Sequence, residues 1–172
     1  MFSRRKDRQF TLLVEAWSAD LFRYAVWLCR DRSLAEELVQ ETFLRAWKGI
    51  DSLKDPAATR SWLITILRRE LFRVHGKAKL AISDVDTADL IDPDFHQGVG
   101  LTMELRKALD SLPDDYKEPL LLQILGGFSC EEIADMTDSS KGAVMTRLFR
   151  ARDKMRKFLE ASSSEEFMEN QT

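Results

Sequence analysis

Residues 129–159, SCEEIADMTDSSKGAVMTRLFRARDKMRKFL, contain a short helix, a polar turn and a long basic helix in succession. Ser129 is followed three residues later by Glu132, which is the spacing of a capping box at the start of a helix. The polar residues Thr137–Ser140 predict the turn. Two helices joined by such a turn form a helix-turn-helix, whose second helix enters the major groove in the members that bind DNA. This stretch therefore predicts a helical C-terminal domain with a candidate DNA-reading helix.

The long basic helix has two kinds of face. One carries apolar side chains at helical spacing and is expected to pack on the domain core: Val144, Leu148, Ala151 and Met155. The other sides carry the candidate DNA contacts: Met145, Thr146, Arg147, Phe149, Arg150, Arg152 and Lys154. Arg150 can make a bidentate contact with guanine and Phe149 can cover a thymine methyl group, whereas the other cations suit phosphates. A basic helix packed on an ordinary bundle would show the same pattern.

Charge is segregated along the chain, although the formal net charge is only −3. One basic block lies between Arg60 and Lys79, and a second lies between Lys141 and Lys157. Residues 84–94 contain aspartates but no lysine or arginine. A single charged run is usually a solvated helix face, but two basic blocks on predicted helices, separated by an acidic spacer, favour contact with nucleic acid at two places.

The N-terminal half also predicts helices. Apolar residues recur at three- and four-residue spacing over residues 10–28 and indicate a first amphipathic helix. The second helix is predicted from Ser33, the first residue of a capping-box sequence, to Gly49. The third is predicted to begin at Asp55–Pro56 and to end at Gly76.

The chain as a whole is predicted to be all-α, with two small helical domains joined by a flexible linker. The domains are residues 1–77 and 101–160, the acidic linker is residues 78–100, and residues 161–172 have the composition of a disordered tail. Within the C-terminal domain, Pro119 is expected to kink its helix or to delay the start of that helix.

Several classes of protein are not favoured by the sequence. No apolar stretch approaches the roughly 20 residues that cross a bilayer, so we expect a cytoplasmic protein without membrane insertion. The two cysteines and two histidines lack the spacing of a disulfide framework or a metal site, and no cofactor is expected: Cys29, Cys130, His75 and His96. No nucleophile–base pair, carboxylate cluster or phosphate loop predicts an enzyme or a catalytic residue.

Motifs in both halves resemble those of the extracytoplasmic-function (ECF) RNA polymerase sigma factors. AEELVQETFLRAW at residues 35–47 resembles their polymerase-binding helix, and WLITI at residues 62–66 resembles the helix that reads and opens the −10 element. The −35-binding domain is resembled by LP at residues 112–113, EIA at 132–134 and GAVMTRLFRAR at 142–152. The motifs stand in the family's order, and the resemblance covers about residues 10–160. It implies that residues 1–77 are sigma region 2 and residues 101–160 are sigma region 4.

The resemblance implies that the helix at 35–47 binds the clamp helices of the polymerase β′ subunit. One side of this helix carries an acidic, amide-bearing cluster with a leucine: Glu37, Gln40, Glu41 and Leu44. Leu38, Val39, Thr42 and Ala46 point to another side. The cluster, beside which Phe43 is also expected to be exposed, suits a protein partner better than DNA. A solvated helix face is the alternative.

The third helix carries basic residues interleaved with aromatic ones, which can hold phosphates while stacking on unpaired bases. The candidate −10 contacts are Trp62, Arg68, Arg69, Phe72 and Arg73. The resemblance implies that the preceding loop, residues 51–57, captures an extruded base. Trp62 has a second interpretation as a core residue.

The chain departs from the family pattern at both DNA elements. Arg69 stands where asparagine is usual, and Arg73 stands where aspartate is usual. Ala143 and Met145 replace a frequent threonine and a frequent basic residue, and Ser140 replaces the proline that commonly precedes the recognition helix. The fold expectation is unaffected, whereas the promoter sequence that the chain prefers is not predicted.

The resulting expectation is an alternative sigma factor that binds core polymerase and directs promoter recognition and transcription initiation. Its expected partners are RNA polymerase core through β and β′, promoter DNA, and an anti-sigma factor that holds it inactive. The acidic linker would thread a basic polymerase channel, or would simply be solvated. The alternative is a stand-alone helix-turn-helix regulator in which residues 1–75 sense a signal or dimerise, and which binds its operator without polymerase.

Overall fold

The computed structural model describes residues 2–78 and 102–169, and these two ranges contain helices and turns but no β-strand. The chain divides into two compact units, residues 1–91 and 92–172. The predicted all-α class with two small helical domains is therefore confirmed. The linker expected over residues 78–100 lies outside the described residues, apart from Ala78, which ends a helix.

The first unit is a three-helix assembly. α1 spans Phe2–Cys29, α2 spans Arg32–Gly49 and α3 spans Thr59–Ala78, with short 3₁₀ turns at Ile50–Ser52 and Pro56–Ala58. All three helices pack on one another. Their shared core consists of apolar side chains that are almost wholly buried: Leu21, Tyr24, Ala25, Trp27, Leu38, Ala46, Leu63 and Leu67.

The start of α2 differs from the prediction. Its N-cap is Asp31, whose carboxylate accepts a hydrogen bond from the Leu34 amide at 3.1 Å. Ser33 lies inside the first turn, and Glu36 pairs with Arg32 at 3.3 Å instead of reaching back to a cap. The capping box predicted at Ser33 is wrong because Asp31, two residues earlier, offers an equally good capping side chain.

The third helix has the predicted capping residue Asp55, but α3 itself begins at Thr59, after a 3₁₀ turn at Pro56–Ala58, and it ends later than predicted. Asp55 accepts a hydrogen bond from the Ala57 amide at 2.9 Å and so caps the 3₁₀ turn that leads into α3. Gly76 does not end the helix, which continues to Ala78. A glycine inside a helix costs about 1 kcal/mol relative to alanine but forces no break, and Gly76 lacks the left-handed φ of a helix-terminating glycine.

The second unit places three short helices against one long helix. α4 spans Met103–Asp110, α5 spans Asp114–Ile124, α6 spans Cys130–Met136, and all three pack on α7, which spans Lys141–Glu169. The core is again apolar: Ala108, Leu109, Leu121, Leu122, Ile133, Val144, Leu148 and Ala151.

Two sequence-based predictions for this unit, the capping box at Ser129 and the effect of Pro119 on its helix, have different outcomes. The capping box at Ser129 is confirmed, because the Ser129 hydroxyl accepts from the Glu132 amide at 3.2 Å and the Glu132 carboxylate accepts from the Ser129 amide at 2.8 Å. Pro119 does not delay the start of α5, which begins five residues earlier at Asp114 and contains the proline as a buried residue.

Two adjacent glycines end α5. Gly127 has a φ of 65°, in the left-handed region that glycine adopts most easily. A Cβ atom on Gly126 would lie 2.3 Å from the Leu122 carbonyl oxygen and 2.3 Å from the Phe128 ring. Gly127 thus adopts its conformation with little strain, and Gly126 permits the close approach of Phe128 as the chain turns from α5 towards α6.

The end of α7 also differs from the sequence expectation. Disorder is expected from residue 161, whereas α7 continues to Glu169. Ser162, Ser163 and Ser164 donate to carbonyl groups four residues earlier at 3.1, 2.9 and 2.9 Å. These serines satisfy their hydroxyl groups within the helix. They carry no apolar stripe, which is why hydrophobic periodicity did not predict this extension.

Candidate nucleic-acid and partner interfaces

A stripe on α2 presents the residues predicted to bind a protein partner, and we call it the α2 acidic face: Glu37, Gln40, Glu41 and Leu44. Spacings of three and four residues place them on one side of the helix. Glu37 and Gln40 are exposed, Glu41 is partly exposed, and Leu44 is 58% exposed. The structure thus brings all four together beside solvent.

The opposite side of α2 holds this stripe in place. Leu38, Thr42 and Ala46 are buried against the rest of the unit, as predicted, and the Thr42 hydroxyl donates to the Leu38 carbonyl at 2.7 Å. Val39 is half-buried. Because this packing fixes the rotation of the helix, Leu44 has to face outwards.

Phe43 was expected to be exposed beside Leu44, and that expectation is wrong. Its side chain is 9% exposed, and its ring meets the Phe10 ring edge-on at 6.2 Å between centroids. Each residue turns an α-helix by roughly 100°, so Phe43 points towards α1 while its neighbour points to solvent.

A groove of about 400 Å³, which was not predicted from the sequence, adjoins the α2 acidic face. It lies between α1 and α2 and is lined by Ser18, Ala19, Phe22, Arg32, Glu36, Val39 and Gln40. Gln40 belongs to both surfaces. The half-buried state of Phe22 and Val39 is visible only once the two helices are packed together.

The predicted −10 residues on α3 fall into an exposed group and a packed group. Arg69, Phe72 and Arg73 are exposed, with Phe72 57% exposed. Arg68 is 8% exposed, and its guanidinium carbon lies 5.2 Å from the centroid of the Phe72 ring. Arg68 is therefore placed to support the ring of Phe72 and not to reach DNA as an exposed cation.

Trp62 is half-buried. A Cβ atom on Gly49 would lie 3.4 Å from the Trp62 Cζ2 atom, so the indole ring packs against the end of α2. The interpretation of Trp62 as a packing residue is thereby supported.

An ion network connects α2 with α3. The Glu70 side chain is 5% exposed and accepts from Arg73 Nη2 at 2.8 Å and from Arg73 Nε at 2.9 Å. Its other oxygen pairs with Arg45 of α2, which also meets Glu41 at 3.1 Å. A carboxylate from the α2 acidic face is thus joined to a candidate DNA contact through Glu70. Glu70 was not among the predicted site residues, although its three-residue spacing to Arg73 was a usable signal.

The face assignment of the basic helix α7 is confirmed. Val144, Leu148, Ala151 and Met155 are buried, each at most 8% exposed. Six of the seven candidate contacts are exposed: Met145, Thr146, Phe149, Arg150, Arg152 and Lys154. The exposed fraction reaches 53% for Met145 and 72% for Phe149. Arg147 is half-buried.

Three arginines of α7 have partners in the same unit that lie outside α7 itself. Arg147 donates to the Ser139 hydroxyl in the turn at 3.0 Å. Arg150 reaches the Tyr116 hydroxyl at 3.5 Å, and Arg152 donates to the Gln123 side-chain oxygen. These contacts brace α7 against the turn and against α5, and they hold the arginines in defined positions.

The turn of the helix-turn-helix is fixed by local polar contacts. Asp138 has a φ of 49°, and the Ser140 hydroxyl accepts from the Ala143 amide at 3.1 Å to cap α7. Lys141 pairs with Glu131 of α6 at 2.6 Å. This hydrogen bond lowers the pKa of the Glu131 carboxyl group and raises the pKa of the Lys141 ammonium group.

Within residues 2–78 and 102–169, no group of three or more histidine, cysteine, aspartate or glutamate side chains is arranged to hold a metal ion. No described helix combines the length and the hydropathy that a membrane-spanning segment requires.

Family models match both units. Residues 13–79 match the model described as Sigma-70 region 2, and residues 102–155 match the model described as Sigma-70, region 4. The order of the two matches along the chain is the order of the two structural units.

Sequence matches to related proteins cover most of the chain. The ECF RNA polymerase sigma factor EcfG of Rhodopseudomonas palustris (strain TIE-1) is 35% identical over 147 residues, which cover 84% of this chain and 81% of that protein. The ECF RNA polymerase sigma factor SigM of Bacillus subtilis (strain 168) is 30% identical over 154 residues, covering 84% and 91% respectively.

Solved structures of similar fold match most of the same chain. The sigma factor RpoE of Bartonella quintana, crystallised with the anti-sigma factor NepR, matches with a TM-score of 0.71 and 29% identity, covering 90% of this chain and 96% of that one. CnrH, in complex with the cytosolic domain of CnrY, matches with a TM-score of 0.63 and 27% identity, covering 90% of both chains. The chain therefore belongs to the family of ECF RNA polymerase sigma factors.

Proposed function

We propose that this sigma factor binds core RNA polymerase through the α2 acidic face and directs it to promoters through α3 and α7. Residues 1–77 would act as region 2 and residues 101–160 as region 4. The observation that carries the proposal is the separation of three exposed surfaces of different chemistry, each on the element that the family assigns to that role. Sigma factors are transcription initiation factors rather than enzymes, and the proposed work is binding alone, in the cytoplasm where polymerase acts.

The chemistry of the α2 acidic face fits a protein partner. Leu44 offers exposed apolar surface that a partner can remove from water, which is worth about 25 cal/mol for each Å² buried. Gln40 and Glu41, one turn before Leu44, and Glu37, two turns before it, add amide and carboxylate groups that can accept hydrogen bonds from basic or polar partner residues. An apolar side chain with polar groups beside it is compatible with the apolar core and polar rim of a protein interface. We assign this face to the clamp helices of β′.

At the −10 element, α3 offers charge and an aromatic ring side by side. Arg69 and Arg73 are exposed and suited to phosphates, while Phe72 presents a ring on which an unpaired base can stack. Arg68 beneath the ring and Glu70 beside Arg73 hold these groups in place. Strand opening then needs no hydrolysis, because preferential binding of the unstacked strand shifts the equilibrium towards the open form.

At the −35 element, the exposed face of α7 is assigned to base edges and its flanks to phosphates. Phe149, Arg150, Thr146 and Met145 project beyond the buried stripe and can reach the major groove. Lys154, Arg147 and Arg152 are assigned to the sugar–phosphate backbone, where they position the helix without specifying sequence.

An anti-sigma factor is the third proposed partner. RpoE was crystallised with the anti-sigma factor NepR, and CnrH was solved with the cytosolic domain of CnrY. Both RpoE and CnrH resemble this chain over 90% of its length. We propose that an anti-sigma factor holds this chain inactive by covering the α2 acidic face, so that polymerase and inhibitor compete for one surface.

Reconstitution tests the function directly. The purified chain is mixed with core polymerase and promoter fragments chosen by selection from randomised DNA, and run-off transcripts are measured. Specific transcripts are expected only when chain and core are both present. A stand-alone regulator would instead bind specific DNA as a dimer without core, and would form no stoichiometric complex with β and β′; that result would overturn the proposal.

A further inference from the structure

The loop between α2 and α3 is anchored locally at both ends. Ser52 donates to the Gly49 carbonyl at 2.6 Å in the first 3₁₀ turn, and Asp55 accepts from the Ala57 amide at 2.9 Å in the second. Ile50 and Thr59, at the two ends, are buried. These bonds shape the loop, but they join only residues of the loop and its immediate neighbours. A contact from outside the loop can further restrict its orientation against the rest of the unit.

Lys6 of α1 supplies such a contact across 45 residues of sequence. Its ammonium nitrogen lies 2.8 Å from Asp51 Oδ2, and it also lies 5.0 Å from the centroid of the Trp47 ring. The Trp47 ring in turn meets the Phe10 ring edge-on at 5.1 Å. Lys6 thus bridges the first turns of α1, the last turn of α2 and the loop.

Lys6 is much more buried than its ion-pair partner. Its side chain is 27% exposed, whereas that of Asp51 is 78% exposed. An exposed ion pair usually contributes little because two long side chains must be ordered to form it. Here the Lys6 side chain is mostly buried and its ammonium group lies over the Trp47 ring, which lowers that ordering cost. Lys6 is the fixed partner, and Asp51 is the group that it positions.

We propose that Lys6 is a positioning residue for −10 recognition: through Asp51 it sets the orientation of the loop that receives the extruded base. The proposal rests on the proposed function of that loop. Lys6 lies before residue 13, where the match to the region 2 model begins, so the matched segment does not include this contact. Removal of the ammonium group should leave the loop folded but less well oriented towards a base.

The experiment uses holoenzyme assembled from core polymerase and the full-length chain. The probe is a promoter fragment with a single-stranded −10 segment, whose sequence is the one that wild-type holoenzyme selects from a randomised pool. A second fragment is abasic at the most strongly selected position. Lys6→Met is expected to weaken binding to the intact fragment by about two- to fivefold, and to leave binding to the abasic fragment unchanged. Lys6→Arg should restore wild-type binding.

Two controls separate positioning from charge and from folding. Arg4 lies two residues away, roughly 200° round the helix, and is exposed, so Arg4→Met removes the same charge without touching the loop and should cause no selective loss. Asp51→Asn should reproduce the loss, and combining it with Lys6→Met should add nothing further. Thermal melting shows whether each variant remains folded.

The outcomes are distinguishable. Equal losses for Lys6→Met and Arg4→Met, equal losses on the intact and abasic fragments, unchanged binding of Lys6→Met, or additive losses for Lys6 and Asp51 would each overturn the role of Lys6. If wild-type holoenzyme itself binds both fragments equally, base capture by the loop fails, and the proposed function fails at the −10 element together with this inference.

Discussion

Arg150 and Lys154 lie one helical turn apart on α7, and the roles proposed for them differ. Losing a bidentate base contact in Arg150→Ala should cost about 1–3 kcal/mol of binding and relax selectivity at one or two −35 positions. Losing a phosphate contact in Lys154→Ala should weaken binding to all sequences alike and make the salt dependence shallower. Holoenzyme binding to matched and mutated −35 elements over a salt series measures both effects.

Each variant is the control for the other, since each removes one positive charge from the same helix. Equal losses on every sequence for both variants would show that Arg150 only positions the helix. Its contact with the Tyr116 hydroxyl at 3.5 Å would then be its main role, and specificity would pass to Thr146, Met145 or the shape of the DNA.

Gly126 gives a prediction for the stability of the second unit. Gly126→Ala places a Cβ atom 2.3 Å from a backbone carbonyl oxygen and from the Phe128 ring, so the backbone must shift and unfolding should become easier by about 1–3 kcal/mol. Gly142 is the matched control, because an added Cβ there meets nothing within 4 Å. Gly142→Ala should be neutral or should stabilise by about 0.5–1 kcal/mol. Denaturant unfolding of both variants tests the pair, and equal stability would contradict the geometry at Gly126.

Some residue roles were accessible from sequence and others were not. The buried stripe of α7 could be predicted because helical spacing alone places Val144 and Leu148 on one side. The burial of Arg68 and Phe43 could not be predicted. Both lie at positions where a rotation of a few tens of degrees decides between solvent and a neighbouring helix, and only the packed unit fixes that rotation.

At the scale of elements, the α2 acidic face should be separable from the stability of its helix. Gln40→Ala combined with Leu44→Ala should abolish binding to core polymerase while leaving helicity and thermal melting nearly unchanged, because both side chains are exposed. Gln9→Ala with Leu12→Ala is the matched control: Leu12 is also 58% exposed, but it lies on α1. Wild-type affinity in the α2 variant, or an equal loss in the α1 variant, would remove the assignment of this face.

The ion network between α2 and α3 should contribute to the stability of the first unit. In Glu70→Gln, the almost fully buried side chain loses its charge, so its pairs with Arg45 and Arg73 become weaker hydrogen bonds. The two arginines are about half exposed and remain hydrated, so the expected loss is moderate, about 1–3 kcal/mol. Glu37→Gln on the exposed side of α2 should change stability by no more than about 0.5 kcal/mol. Denaturant unfolding compares the two, and equal effects would show that the network contributes nothing.

Helix boundaries show where sequence reasoning about elements ends. The same serine–glutamate spacing predicted capping boxes at Ser33 and Ser129, and only Ser129 caps its helix. Asp31 competes in the first case, whereas in the second the loop residues before Ser129 offer no comparable cap. The choice between adjacent capping residues depends on the backbone entering the helix, here through Arg30 with its φ of 56°, and a local pattern does not contain that information.

For the whole molecule, the separation into two units with their own cores could be predicted from the sequence because helical periodicity fails between them. Each unit buries its own apolar side chains: Leu21, Trp27 and Leu63 in the first, Leu121, Ile133 and Leu148 in the second. The long-range ion pairs within a unit could not be predicted from the sequence, because partners such as Lys6 and Asp51 are distant along the chain.

Two units with separate cores should fold and act separately. Fragments 1–78 and 102–172, expressed alone, should each be helical and melt cooperatively, since each retains a packed core. The first should bind core polymerase and lose that binding in the Gln40→Ala, Leu44→Ala variant. The second should bind duplex −35 DNA with a steep salt dependence but weakly, because it lacks the affinity gained when two linked modules bind together. Limited proteolysis of the full chain should release the same two fragments by cutting within residues 78–99. A first fragment that binds polymerase only when the second is covalently attached would contradict this division, and would place part of the polymerase interface in region 4.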